Sequence, residues 1–226
     1  MATPGHNAHN AHDGPAERGV QDRLVEAAEE LFCNRGYNET SVRDIAAAAG
    51  CNIASVNYYF GGKDNLYVEV WHRRLAELRD VRLASIREVM SRSGQPQLEE
   101  LLRSYANSFV EPLVDGGRSE RFVNLMAREM VDSHLPRDMF LSEMIVPVMS
   151  AFAQALRQIC PWLGERQARL VILSVVGQLM QTVLSKGMFE QGNHPETPKL
   201  DLEEMAEHIV RFSSAGIRAY QNESGE

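Results

Sequence analysis

The sequence predicts an all-α protein, and three observations carry that prediction. Apolar residues recur at i, i+3, i+4 spacing along most of the chain beyond residue 15. Breaks containing Gly or Pro separate these periodic stretches. No segment shows the strict apolar–polar alternation that a strand requires. The elements arrange themselves as an N-terminal group of three helices and a larger helical C-terminal region.

The first 15 residues, rich in Ala, Asn, His, Gly and Pro, carry almost no bulky apolar side chain and read as a disordered tail. His6, His9 and His12 fall at every third position there. No fixed scaffold orients their rings, so they read as solvated and not as metal ligands. The tail lacks the apolar core of a secretory signal. Cys33, Cys51 and Cys160 stand far apart with no CxxC pair, which excludes a disulfide framework and fits a reducing, cytoplasmic compartment. The most apolar run, "LVILSVVGQLMQTVL", is interrupted by Gln178 and Gln181 and is too short for a bilayer, so no membrane partner is expected. With a net charge of −8 the chain as a whole does not attract nucleic acid; such binding needs a local patch.

Residues 16–62 form the first domain. "VQDRLVEAAEELFCNRGY" places Val20, Leu24, Ala27, Ala28, Leu31 and Phe32 on one stripe and stops at Gly36, a residue suited to a helix C-terminus. "TSVRDIAAAAG" starts with Thr40 or Ser41 as N-cap, and Ser41 with Asp44 fits a capping box. This short helix ends at Gly50, which supplies a positive-φ turn. A second short helix, "NIASVNYYF", follows at once, and Gly61-Gly62 breaks it. Two short helices across a tight turn, braced by a preceding helix, make a helix-turn-helix. Ile45, Ala46, Val56 and Phe60 are its expected inward residues.

With Val56 and Phe60 inward, Ala54, Ser55, Asn57 and Tyr58 face outward and Tyr59 lies at the edge. That face suits a duplex. Asn57 carries a donor and an acceptor matched to adenine. Ser55 serves base edges or phosphate, small Ala54 allows close approach, and Ile53 suits a thymine methyl. The hydroxyls of Tyr58 and Tyr59 suit phosphate, and Lys63 is expected beside one. Thr40, Ser41 and Arg43 gather at the N-terminus of the first short helix as an anion site.

"TSVRDIAAAAGCNIASVNYYFGGKDNLYVEVW" resembles the N-terminal domain of the TetR family of transcriptional regulators. Thr40, Ile45, Ala46, Ala49, Gly50, Tyr58, Phe60, Lys63 and Leu66 occupy the places of the family pattern. Asn57 departs from the tyrosine common there. "NIASVNYYFGGKDNLY" is similar to the CecR-type variant, which reads Asn-Tyr-His-Phe-Gly-Gly-Lys, with Tyr59 in place of the histidine. The resemblance implies a C-terminal domain, residues 63–226, that dimerises and binds a small-molecule effector.

That region reads as a long helix from Lys63 followed by helices near 97–114, 118–133, 136–160, 164–190 and 200–220. Pro112 and Pro147 are expected to kink or end their helices. The 164–190 helix is apolar on more than one face, and the last helix carries Leu202, Met205, Ala206, Ile209, Val210 and Phe212 on a stripe. Pairing of these two helices with their two-fold mates gives a homodimer; completing the monomer's own core is the alternative. Met126, Met130, Met139, Met144 and Met149 suit either an adaptable pocket or ordinary core. "LMAREMVDSHLP" resembles the Arg-Glu-Met segment of CecR-type proteins. Met126, Arg128, Met130, His134 and Gln178 are the candidate ligand contacts.

No nucleophile motif, metal-ligand cluster or phosphate loop is present, so neither catalytic residues nor a metal or other cofactor are expected. The sequence therefore reads as a homodimeric regulator, a repressor, that binds a palindromic double-stranded DNA operator and is released by an effector. A helical protein-interaction module without DNA binding is the alternative.

Overall fold

A computed structural model describes residues 15–114, 118–191 and 201–223, and every element among them is helical. The expected tail, with His6, His9 and His12, lies outside the described residues except for Pro15, which opens the first helix. The helices are α1 (Pro15–Arg35), α2 (Val42–Ala48), α3 (Ile53–Phe60), α4 (Lys63–Ser91), α5 (Leu98–Val114), α6 (Arg118–Val131), α7 (Val146–Ile159), α8 (Glu165–Gln191) and α9 (Leu202–Glu223). A π-helical turn, Leu141–Ile145, leads into α7.

The chain forms two compact units that meet in sequence between Val70 and Trp71. Sequence reasoning placed this boundary at residue 62. The first two turns of α4 belong to the first unit because Leu66, Tyr67 and Val70 are at most 1% exposed. The Tyr67 ring meets both Phe32 and Tyr37 edge-on at 4.9 Å.

In the first unit α1 buries Leu24, Val25, Ala28 and Phe32 and closes at Gly36 (φ 86°), whose N–H donates to the Phe32 carbonyl at 2.8 Å. Ser41, not Thr40, caps α2, and the capping box with Asp44 is complete. Gly50 (φ 62°) turns the chain, and Asn52 caps α3 by accepting from the Ala54 N–H at 2.9 Å. Gly61 (φ 73°) ends α3 in the left-handed region. Helices of 7 and 8 residues are not stable alone. Ile45 and Val56, both fully buried, each contribute about 1.5–3 kcal/mol toward holding them.

The loop between α1 and α2 is fastened to the start of α4. Lys63 Nζ donates to the carbonyls of Tyr37 (2.8 Å) and Thr40 (3.0 Å) and lies 4.0 Å from the centroid of the Tyr37 ring. The Tyr37 hydroxyl donates to Asp64. Burial, then the Asp64 hydrogen bond and charge, push the Tyr37 phenol up to about 12.

The second unit packs the remainder of α4 with α5, α7, α8 and α9 around one core that includes Leu101, Tyr105, Phe152, Leu156, Ile172 and Ile209. Tyr105 stacks on Phe152 at 4.2 Å. Two ion pairs tie α5 to α9: Arg103–Glu207 at 2.9 Å and Arg218–Glu99 at 2.5 Å. The helix expected over 136–160 is shorter. Pro147 lies in the first turn of α7 and cannot donate to the Glu143 carbonyl four residues back. That carbonyl accepts from Arg79 Nη1 instead, at 3.3 Å. Pro112 sits in the last turn of α5, which ends at Val114.

Glu165–Lys186 of α8, 22 residues with a mean hydropathy of 1.4, is long and apolar enough to cross a bilayer by length and composition. It contains the apolar run "LVILSVVGQLMQTVL", which alone is too short for a bilayer. Here the segment packs one side into the core through Ala168, Ile172, Val175 and Leu179.

The Tyr37 geometry makes a pH prediction. A phenol raised from 10 to about 12 contributes stability that is complete below pH 10 and is lost as pH rises towards 12. The urea midpoint of the wild-type protein should therefore fall more steeply above pH 10 than that of Tyr37→Phe. Parallel profiles for the two proteins would contradict the arrangement.

Candidate nucleic-acid interface

Both ends of α3 are fixed, so its outer face is presented by the fold. Asn52 caps one end, and at the other Asn65 Nδ2 donates to the Phe60 carbonyl at 2.9 Å. Val56 is buried and Phe60 half-buried, as the helical stripe requires. Ala54, Asn57 and Tyr58 are exposed, Tyr58 at 78%, and Ile53 is 49% exposed. Ser55 and Tyr59 are half-buried at the edges of this face. The rings of Tyr58 and Tyr59 meet edge-on at 4.8 Å, which steadies the exposed ring. The Asn57 side-chain amide has no hydrogen-bond partner among the described residues, so both its donor and its acceptor are uncommitted.

The residues expected to form an anion site divide differently. Arg43 is exposed on α2. The Ser41 hydroxyl donates to Asp44 at 2.6 Å, and the hydroxyl and amide of Ser41 hold the Asp44 carboxyl below the usual carboxylate range. Thr40 is only 1% exposed and its hydroxyl donates to the Gly36 carbonyl at 2.8 Å. Lys63 is half-buried with its ammonium on two carbonyls and an aromatic ring, which makes it a fastening of the fold. Sequence reasoning also missed Arg23, whose Nε donates to the Ala49 carbonyl at 3.3 Å and braces the turn before α3. Nothing in its position on α1 distinguishes it from a solvated arginine.

In the second unit the five candidate ligand contacts do not converge. Met126 is buried in the fold. Arg128 and Met130 are exposed, Met130 at 74%. His134 lies beyond the end of α6, where its backbone N–H donates to Glu129 at 2.7 Å. Gln178 donates to the Ser174 carbonyl at 3.1 Å and lines a groove of about 370 Å³ between α8 and α9. A different polar group is enclosed instead: Arg82, 5% exposed, occupies a place on α4 in register with buried Leu75, Ile86 and Val89. An arginine interrupting an apolar stripe was the available signal.

The outer sides of α8 and α9 carry uncovered apolar residues. Leu170 (50% exposed), Leu173 (56%) and Phe212 (65%) stand beside exposed Ser174, Gly177 and Gly216. On α8 these recur at i, i+3, i+4, i+7, a single face.

Two family models match the chain. One, described as bacterial regulatory proteins of the tetR family, covers residues 24–70. The other, a tetracyclin repressor-like C-terminal domain, covers residues 103–216, half of the chain. Among curated proteins, the probable HTH-type transcriptional regulator YttP of Bacillus subtilis is 25% identical over 130 residues, 56% of this chain and 63% of YttP. The transcriptional dual regulator CecR of Shigella flexneri is 50% identical over 49 residues, 22% of either chain. The chain thus matches less than two thirds of the length of these two relatives. A putative TetR-family regulator from Mesorhizobium loti has the same fold, with a TM-score of 0.67, 20% identity, and coverage of 90% of this chain and 98% of the other. With both characteristic domains matched in order, the chain belongs to the TetR family of bacterial transcriptional regulators.

Proposed function

We propose that this protein is a homodimeric repressor that binds a palindromic DNA operator through α3 and is released by a small-molecule effector. The observation that carries the reading is the rigidly capped α3 with Ala54, Asn57 and Tyr58 exposed and the Asn57 amide uncommitted. Asn57 reads a base edge, Tyr58 contacts phosphate, and Ser55, Tyr59 and Arg43 flank them. Ser41 acts mainly by holding α2 in place. The half-identical CecR segment supports a CecR-like reading head, since it is confined to 49 residues. As a DNA-binding regulator of this family the protein works in the cytoplasm.

Dimerisation is assigned to the α8–α9 face. Its small residues permit close helix approach, and its apolar residues gain burial only against a partner. A second copy supplies the same face, giving four helices around a two-fold axis. The effector reading rests on the family and on fold relatives solved with ligands, such as a FadR of Bacillus subtilis in complex with stearoyl-CoA (TM-score 0.65, 16% identity). Helix α4 is the one element that belongs to both units, so it is the covalent route by which an effector biases DNA binding. That bias is limited to the effector's differential affinity for the two states.

Selection of bound sites from random duplexes tests the DNA reading. The protein should enrich a palindrome. Asn57→Ala should cost about 1–3 kcal/mol of base discrimination, and Tyr58→Ala should weaken binding uniformly across sequences. If no duplex is enriched, the operator reading fails. For the dimer, sedimentation should give twice the 25.4 kDa chain mass for wild type and the single-chain mass for the Leu173→Glu, Phe212→Glu double variant. A double variant that keeps the wild-type mass would remove this face from the interface.

A further inference from the structure

Among the described residues of the second unit, Arg82 is a buried cation with no acidic partner. Arg82 is 5% exposed, and its Nε has no hydrogen-bond partner. Its Nη1 donates to the Met144 thioether at 3.4 Å, and its guanidinium lies 3.8 Å over the Phe109 ring. Among the described residues no carboxylate lies within ion-pair distance of it. Arg74 on the same helix is also buried but pairs with Glu77 at 2.6 Å.

A thioether is a weak acceptor and a ring face a modest counter-charge, whereas removing a guanidinium from water is costly. Burial pushes the Arg82 pKa down to about 10, so the group still carries its charge at neutral pH. Tyr105 stands beside it, 1% exposed, with its ring against Phe109 at 5.3 Å. Burial raises that phenol to about 12, so it remains a proton donor. The guanidinium, with its Nε unpartnered, and this phenol thus share an apolar wall of Phe109, Met144 and Phe152.

We propose that Arg82 and Tyr105 receive the carboxylate of an apolar-tailed ligand, taken up where α4 and α5 face the π-helical turn. The proposal rests on the effector reading and names the effector's class. A carboxylate offers two oxygens to the guanidinium fork, and its single charge balances the single cation. A dianionic phosphate would leave one negative charge buried, and a cation would be repelled. Met144 is the movable part of the wall. It is unbranched, and it lies in the π-helical turn, where Pro147 interrupts the regular ladder. Rotating its side chain away from Nη1 opens the guanidinium to the ligand.

The test uses the full-length protein with decanoate, decanol and decylamine, each below its micelle concentration, followed by calorimetric titration. Decanoate should bind at least about tenfold more tightly than either counterpart, as expected for a buried charge pair. Arg82→Met should fold at least as stably, having lost a buried charge, and should remove the preference for decanoate over decanol. Arg82→Lys should retain it. Failure of decanoate to bind, equal affinity for decanoate and decanol, preference for decylamine, or a preference surviving in Arg82→Met would each overturn the proposal. Should Arg82→Met not fold, the wild-type comparison and Arg82→Lys decide. Enrichment of duplexes by the ligand-free protein is measured on the same sample. Loss of that activity alone would sink the operator reading, and loss of ligand preference alone would sink this one.

Discussion

The first unit depends on one ammonium group. Lys63 donates to the carbonyl of Thr40 and to that of Tyr37, which also accepts from the Thr40 N–H, and covers the Tyr37 ring. Hydrogen bonds to a charged donor contribute about 1.5–3 kcal/mol each. This fastening sets where α4 begins relative to the α1–α2 loop. The positions of α2 and α3 follow, because α2 starts from that loop and α3 ends two glycines before Lys63. The orientation of the outer face of α3 is therefore set by packing within the first unit. Such preorganisation limits the ordering entropy that binding must offset.

The second unit shows the same economy around Glu143. The missing N–H of Pro147 frees the Glu143 carbonyl for Arg79, and the Glu143 carboxylate meets the His72 ring at 2.7 Å. Three side chains of α4 thus engage the π-helical turn, the third being Arg82 through Met144. These three contacts hold the distorted turn against α4.

Local chemistry was legible in the sequence, and tertiary commitment was not. Gly36, Gly50 and Gly61 announced helix ends because each needs a positive φ, and Ser41 with Asp44 announced a capping box because both partners lie within one turn. The outward face of α3 followed from the inward placement of Val56 and Phe60. The contacts of Thr40 and Lys63 within the fold were not legible, because their partners lie across a loop that periodicity does not locate. Arg82 was overlooked for a related reason. Its stripe is apolar on either side, and only packing reveals that no carboxylate was placed opposite it. The five scattered ligand candidates reflect the limit of choosing residues by type. Met126 and Met130 are four residues apart on one helix yet differ in burial from 9% to 74% exposed.

The tie of the Lys63 ammonium to the Tyr37 and Thr40 carbonyls is the fixed point of the first unit. A crystal structure of the protein on its selected operator tests it most directly. The account predicts that the Lys63 ammonium stays on the Tyr37 and Thr40 carbonyls while α3 lies in the major groove. An ammonium released from both carbonyls and paired with a backbone phosphate would contradict it.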